Sequence, residues 1–202
     1  MSNYTNEESV APMYGKKLDD QNHASLNTIS RLPTQLSTGF DPIQRIKEGF
    51  NYFKINEFDK QPDYYNKLEE KQEPKFLIFA CSDSRVSPTN ILNLRPGEAL
   101  MARNIANMVP AINQLKDLGV GSIIQAATIL FKVEVIMVIG HRRCGGIHRL
   151  INLSNEEPHD LIDDWLTIGQ PVKAKVIAEH PNASDEELHI LIEKVNIKSP
   201  LG

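Results

Sequence analysis

The stretch Lys75-Phe76-Leu77-Ile78-Phe79-Ala80-Cys81-Ser82-Asp83-Ser84-Arg85 decides the fold of this chain. Its first part is a short continuous apolar run, which is typical of a strand that is buried on both faces. A thiol, a carboxylate and a guanidinium follow directly, at Cys81, Asp83 and Arg85. In open parallel sheets, ligands bind outside the carboxyl ends of the strands. The stretch therefore predicts a buried strand with chemically active side chains at its C-terminal end.

Two further apolar stretches complete the pattern of a parallel sheet. Residues 133–139 form a second β run, and residues 98–102 form a weaker strand candidate after the Pro96-Gly97 turn. The mostly apolar residues 115–131 predict a helix before the run at 133–139. Strands that are joined by a helix indicate a βαβ unit. We therefore expect an α/β fold with a central parallel-type β-sheet flanked by helices.

The chain after Gly146 predicts helices. Apolar residues at 161–168 and at 188–195 are spaced so that each set forms one helix face. Ser184 precedes the second set, and Glu187 comes three residues after Ser184. This spacing is the signature of a capping box.

The N-terminal region has a different character. Residues 1–38 are polar and lack a sustained period, so we interpret them as a flexible N-terminal arm. Asp41 and Pro42 suit the N-cap and first turn of a helix with one apolar face. Residues 61–74 are charged and predict a loop with a short helical turn. We therefore divide the chain into the arm and a single domain at 39–202.

Composition and charge exclude several classes of protein. The 22 Lys and Arg residues against 26 Asp and Glu residues give a net charge of −4, which disfavours nucleic acid as a partner. No apolar run approaches the roughly 18 residues of a membrane span. The first residues resemble neither a secretory signal nor an acid-poor transit peptide. We expect a cytoplasmic protein, with the chloroplast as the alternative.

The two cysteines and one histidine are placed at predicted strand ends. Cys81 follows the first strand, and His141 and Cys144 follow the strand that ends at Gly140. The cysteines alone are open to three interpretations: buried residues, a redox pair, or ligands and nucleophiles. A Cys-x-x-Cys redox motif and the Cys-x₅-Arg loop of cysteine phosphatases are both absent. Two thiolates and one imidazole with an open fourth position form a known catalytic zinc pattern.

Neighbouring residues add to this pattern. Asp83 is placed to accept a hydrogen bond from a metal-bound water, and Arg85 is placed to keep that carboxylate ionised. The alternative is a surface ion pair of little energetic value. Gly145 and Gly146 begin a helix after Cys144. Their free backbone N–H groups are therefore expected at the sheet edge that carries the candidate metal ligands.

The sequence resembles the β-class carbonic anhydrases in their plant form. The resemblance extends over about residues 40–195, and four motifs carry it in the family's order: KFLIFACSDSRV at 75–86, RPGEA at 95–99, RNIANMVP at 103–110 and VIGHRRCGGI at 138–147. The family hydrates CO₂ reversibly to bicarbonate and a proton through zinc-bound hydroxide. The resemblance thus implies a zinc-dependent carbonate dehydratase, which is a lyase.

The resemblance also implies roles for individual residues. Cys81, His141 and Cys144 are the implied zinc ligands, and Asp83 and Arg85 are the implied catalytic pair. The implied substrate-binding positions are Gln72, acting from a neighbouring subunit, Ile105 as an aliphatic wall, and Gly145 and Gly146. The family forms dimers or larger homo-oligomers with active sites at the subunit interface.

Some positions depart from the family. Leu100 and Ala126 replace aromatic residues of the family's CO₂ pocket. Arg142 and Arg143 lie in the turn between His141 and Cys144, which we call the metal turn, and we expect both side chains to face solvent. The family also continues with a further helix and strand beyond the helix at 184–195, so the resemblance implies a domain shortened at its C-terminus. These departures leave two alternatives: an inactive zinc- or bicarbonate-binding relative that acts as an interaction protein, and an incomplete gene product that does not fold stably.

Overall fold

The structure is a computed structural model, and it describes residues 40–110, 118–154 and 160–198. The predicted N-terminal arm, residues 1–38, lies outside the described residues. The chain divides into two units, one that ends at Pro62 and one that begins at Asp63.

The first unit contains helix α1, Pro42–Phe53, which begins where the sequence predicts it. The Asp41 carboxylate accepts hydrogen bonds from the backbone N–H groups of Ile43 at 2.8 Å and Gln44 at 3.2 Å, as an N-cap does. A π-helical segment, Lys54–Phe58, continues the helix. Apolar side chains of this unit are exposed: Ile43, Ile46, Phe50, Phe53, Ile55 and Phe58.

The second unit is organised around a three-stranded parallel sheet. The central strand is β1, Phe76–Cys81, and it pairs with β2, Ala99–Asn104, on one side and with β3, Val135–Ile139, on the other. The register places Cys81 opposite Asn104. Leu77, Ile78, Phe79 and Ala80 are at most 1% exposed, so the central strand is buried on both faces. The predicted α/β fold is confirmed.

Helices connect and cover these strands. Those before β3 are α2 (Pro62–Glu70), α3 (Pro88–Ile91) and α4 (Leu118–Gln125), the last continued by a π-helical segment at Ala126–Leu130. Those after β3 are α5 (Gly145–Asn152), α6 (Leu161–Leu166), α7 (Gln170–Glu179) and α8 (Asp185–Lys198). Among the described residues, none of these helices combines the length and the apolar character needed to cross a membrane.

Two apolar clusters form the core of the second unit. One cluster joins Leu77 and Phe79 of β1 to Val120 and Ala127. The other contains both cysteines, apolar residues of the turn after β2 and apolar residues of the helices after β3: Cys81, Ala106, Met108, Cys144, Ile147, Leu150, Leu166, Val176 and Ile192. The two thiols therefore lie within the hydrophobic core.

Several predicted elements differ in detail. Most of the loop predicted at 61–74 is helix α2. Helix α7 was not predicted, because Gly169 at its N-cap has no capping side chain and its apolar residues do not gather on one face. Leu161, which was expected on an apolar face, is 87% exposed as the first residue of α6. The helix predicted at 115–131 becomes π-helical at Ala126, and its residues 115–117 lie outside the described part of the chain.

Candidate metal centre

Three side chains from distant parts of the sequence meet at the carboxyl edge of the sheet. Cys81 ends β1, while His141 and Cys144 lie in the turn between β3 and α5. Their ligand atoms all lie within 4.8 Å of one another, and the two Sγ atoms are 3.9 Å apart. Both cysteines are free and buried. The parallel register explains the convergence, because it delivers the ends of neighbouring strands to one edge.

The donor set fits a zinc ion. Two thiolates about 2.3 Å from a tetrahedral zinc ion stand about 3.8 Å apart, which is close to the observed Sγ–Sγ distance. The buried Nε2 atom of His141 has no hydrogen-bond partner in the described part of the chain, and such an atom is normally satisfied. Nδ1 of His141 lies 3.2 Å from the carbonyl oxygen of Arg142. Nη2 of Arg85 lies at the same distance, 3.2 Å, from Nδ1. In the tautomer in which Nδ1–H donates to the Arg142 carbonyl, the Nε2 lone pair is free to bind a metal ion.

Burial affects the protonation of the cluster. It raises the pKa of the Cys144 thiol to about 11, whereas the backbone N–H groups of Ile147 and Gly146 act in the opposite direction. The Cys144 thiol is therefore protonated at neutral pH without a metal ion. Binding of a metal ion must displace this proton, since the thiolate is the ligand.

Asp83 and Arg85 form a bidentate ion pair beside the three candidate ligands. Nε of Arg85 donates to Oδ1 of Asp83 at 2.9 Å, and Nη2 donates to Oδ2 at 2.7 Å. The backbone N–H of Arg85 also donates to Oδ1, at 2.9 Å. These hydrogen bonds hold the pKa of Asp83 far below its usual range. Oδ2 lies 3.9 Å from Nδ1 of His141, so an ionised carboxylate stands next to a candidate ligand.

Two residues of β2 hold neighbouring backbone segments: Arg103 binds the loop that carries this pair, and Asn104 binds the turn after β2. The sequence analysis gave neither residue a role. Arg103 donates to the carbonyl oxygens of Cys81 at 3.1 Å and Asp83 at 2.7 Å. The Asn104 side chain accepts from the backbone N–H of Met108 and donates to its carbonyl oxygen, both at 2.8 Å. The strand candidate at 98–102 was the available signal for these contacts, because a strand in the same parallel sheet ends at the same edge as β1.

The turn after β2 packs against the start of α5. Ala106 and Asn107 adopt positive φ angles of 61° and 47°, and the carbonyl oxygen of Ile105 accepts a hydrogen bond from Trp165 Nε1 at 2.9 Å. A Cβ atom on Gly146 would lie 2.9 Å from both Ile105 Cγ2 and Ala106 Cβ, whereas one on Gly145 would meet open space. Ile105 thus lies beside the turn that carries Cys144, and it also lines a cavity of 560 Å³.

The remaining predicted positions are less closely tied to the cluster. Gln72 is exposed between α2 and β1, and its role from a neighbouring subunit stays a prediction. Leu100 packs against the apolar cluster around Phe79. Arg142 and Arg143 are exposed, as expected. Arg143 has a φ of 53°, and its carbonyl oxygen accepts a hydrogen bond from Arg85 at 3.4 Å.

Helix α8 supplies two contacts that the sequence analysis missed. Glu193 accepts a hydrogen bond from the backbone N–H of Cys144 at 2.8 Å, and Nε2 of His189 lies 3.2 Å from the Cys144 carbonyl oxygen. The only sequence signal was a histidine and a glutamate four residues apart in the predicted helix, and this spacing does not reveal which residue they contact.

Comparison with known proteins places this geometry in a family. A family model described as carbonic anhydrase matches residues 76–201. The chain is 40% identical over 200 residues to "Beta carbonic anhydrase 3" of Arabidopsis thaliana, covering 96% of this chain and 77% of that protein.

Solved structures show the same fold. The β-carbonic anhydrase CcaA is 28% identical, with a TM-score of 0.73 over 79% of this chain and 78% of the other. A structure from a study of two tetrameric β-carbonic anhydrases of Sordaria macrospora is 29% identical, with a TM-score of 0.65 over 76% of each chain. The family match covers more than half of the chain and includes all three candidate ligands. The chain therefore belongs to the β class of the carbonic anhydrase family.

Proposed function

We propose that this chain is a zinc-dependent carbonate dehydratase that interconverts CO₂ and bicarbonate. One observation carries the proposal: the ligand atoms of Cys81, His141 and Cys144 converge within 4.8 Å beside the Asp83–Arg85 pair. Membership of the carbonic anhydrase family supports the same reaction.

Cys81, His141 and Cys144 would hold the metal ion. Zinc with three protein ligands lowers the pKa of a water molecule in the open fourth position to about 7. The chain supplies two sulphur atoms and the Nε2 atom of His141, which has no other partner in the described residues. A buried Nε2 atom without a hydrogen-bond partner favours a ligand role for His141 over a purely structural role.

Asp83 would orient the attacking oxygen. Arg85 lowers the pKa of this carboxyl, so Asp83 is ionised at neutral pH and only accepts hydrogen bonds. An O–H group that donates to Asp83 directs its lone pair away from the carboxylate and towards CO₂. Arg85 fixes the carboxylate with three hydrogen bonds, which limits the orientations available to that O–H group.

The substrate positions follow from the chemistry of CO₂ and its product. CO₂ is uncharged and linear, so an apolar wall such as Ile105 suits it. Bicarbonate is an anion, and the N–H groups of Gly145 and Gly146 at the start of α5 suit a negative charge. We assign Gln72 to a hydrogen bond with substrate in a neighbouring subunit.

The proposal extends to assembly and location. A homo-oligomer is consistent with the tetrameric β-carbonic anhydrases of Sordaria macrospora, and we propose a homodimer or a larger homo-oligomer. We also propose a cytoplasmic location, which imaging of a tagged chain in its own cell would test. An inactive relative is not favoured, since the candidate ligands and the Asp83–Arg85 pair are all in place.

A stopped-flow assay of CO₂ hydration on the zinc-loaded protein tests the activity. We expect a rate well above that of the buffer, lost when a chelator removes the metal and restored when zinc is returned.

Cys144→Ser should lose both metal and activity. Asp83→Asn should keep the metal but lose at least about tenfold in kcat/KM, because an amide can also donate hydrogen bonds and no longer fixes the orientation of the O–H group. A metal-loaded wild-type protein with no rate above the buffer would refute the proposal.

A further inference from the structure

Helix α8 contacts the backbone of a candidate metal ligand at two points. The N–H of Cys144 donates to Oε1 of Glu193 at 2.8 Å, and Nε2 of His189 lies 3.2 Å from the carbonyl oxygen of the same residue. That carbonyl oxygen also accepts the first-turn hydrogen bond of α5 from the backbone N–H of His148, at 3.0 Å. Both polar groups of Cys144 are thus bound by side chains that come 45 and 49 residues later.

The two α8 side chains also support each other. Glu193 is only 8% exposed, and charged residues are rarely buried unless they are paired. Its Oε1 atom lies 3.6 Å from Nε2 of His189, one helical turn away. The His189 ring packs edge-on against the ring of His148, with 6.0 Å between centroids. The pair therefore has a fixed geometry on the side of α8 that faces the metal turn.

The metal turn needs such support because its own backbone is irregular. Arg143, directly before Cys144, has a φ of 53°, which is uncommon for a residue other than glycine. Cys144 itself is extended, with φ −69° and ψ 120°. A ligand in an irregular turn keeps its position only if its peptide groups are held by neighbouring elements.

We propose that Glu193 and His189 are positioning residues of the metal centre, which fix the Cys144 peptide so that its Sγ atom meets Cys81 and His141 in metal-binding geometry. The inference rests on the metal site of the proposed function, and it adds a C-terminal helix to the parts that determine metal affinity. Neither residue is a ligand in this scheme. Their effect passes through the backbone of Cys144.

Metal affinity and a spectroscopic signature test this inference without reference to CO₂. Zinc affinity would be measured by competition with a chelator, and the ligand-field absorption would be recorded on the cobalt(II)-substituted protein. Removal of groups that orient metal ligands typically lowers affinity about 10–100-fold, and we expect this for Glu193→Leu, together with an altered cobalt spectrum. Glu193→Gln retains an acceptor oxygen, so it should rescue both readouts to near the wild-type values.

Glu179→Leu is the matched control, since Glu179 is an exposed glutamate on α7. It should leave affinity and spectrum unchanged. If Glu193→Leu does not fold, His189→Phe takes its place, because it keeps a ring but removes the group that faces the Cys144 carbonyl. Wild-type affinity and spectrum in the folded variant, or equal losses in Glu179→Leu, would overturn the inference. A wild-type protein that binds metal but lacks CO₂ turnover would overturn the proposed function alone, and one that binds no metal would overturn both.

Discussion

Gly145 and Gly146 are adjacent residues in different surroundings. Both stand in the first turn of α5 after Cys144. A side chain on Gly146 would collide with the turn that contains Ile105 and Ala106, whereas a side chain on Gly145 would point into open space. The close approach of the two turns thus depends on a single missing Cβ atom.

We predict opposite results for alanine at these two positions. Gly146→Ala should lower the free energy of unfolding by about 1–3 kcal/mol, since extra atoms in a packed site force backbone shifts. Gly145→Ala should change it by less than about 0.5 kcal/mol, as is usual for an uncrowded surface substitution. Urea unfolding of both variants measures the difference. Equal effects would contradict the packing described for the Ile105 turn.

The raised pKa of Cys144 predicts how metal binding depends on pH. A group with a pKa of about 11 is protonated below that pH in the metal-free protein, and the metal ion must displace its proton. Apparent zinc affinity should therefore rise with pH between 6 and 8, by about tenfold per unit for each thiol proton released. Chelator competition at several pH values measures this slope, and a pH indicator in weak buffer detects the released protons. A flat affinity over this range would exclude proton release from Cys144.

At the scale of elements, α8 has a well-defined start. The backbone N–H of Ser184 donates to Glu187 Oε2 at 2.9 Å, and the backbone N–H of Glu187 lies 3.4 Å from Ser184 Oγ. This is the capping box that the sequence predicts. It fixes the beginning of the helix that carries His189 and Glu193, so it supports the metal turn from a distance.

Removal of this cap should therefore destabilise the protein. Ser184→Ala is expected to lower the free energy of unfolding by about 1 kcal/mol, as other N-cap serines do. Ser87 provides the control, because it occupies the N-cap of α3 without a side-chain capping hydrogen bond. Ser87→Ala should cost less than half as much in the same urea titration. Equal costs would mean that the Ser184 cap contributes nothing specific.

At the scale of the whole molecule, the first unit exposes an apolar helix face. Ile43, Ile46 and Phe50 of α1 are 59%, 68% and 62% exposed. Large apolar patches of this kind mark interaction surfaces. The oligomer that we propose for this family member would give these side chains a partner.

Charge on this face should disturb assembly. We expect the wild-type protein to have at least twice the monomer mass by light scattering, and Ile46→Glu or Phe50→Glu to reduce that mass. Lys47→Glu introduces the same charge at an exposed polar position of the helix, and it should leave the mass unchanged. A monomeric wild-type protein, or equal masses for all variants, would exclude α1 as an assembly surface.

Much of the architecture could be predicted because the signals are local. A continuous apolar run predicts β1, and Asp41 with Pro42 and Ser184 with Glu187 predict helix starts, since caps are formed by residues close in sequence. Helix α7 escaped prediction because its N-cap residue, Gly169, has no capping side chain and its apolar residues do not gather on one face. The orientation of Leu161 depends on where the core lies, and local periodicity does not contain that information.

The sequence by itself determined the chemistry of this protein: a buried strand, two thiols and an imidazole at strand ends, and a carboxylate two residues from a guanidinium. These features follow from covalent neighbours and from the rule that parallel strands deliver their carboxyl ends to one edge. Only the tertiary structure decided that Glu193 and His189 bind the peptide of Cys144, and that Gly146 is crowded whereas Gly145 is not. Such contacts join segments about 40 or more residues apart, and they depend on how whole helices pack, which no short stretch of sequence encodes.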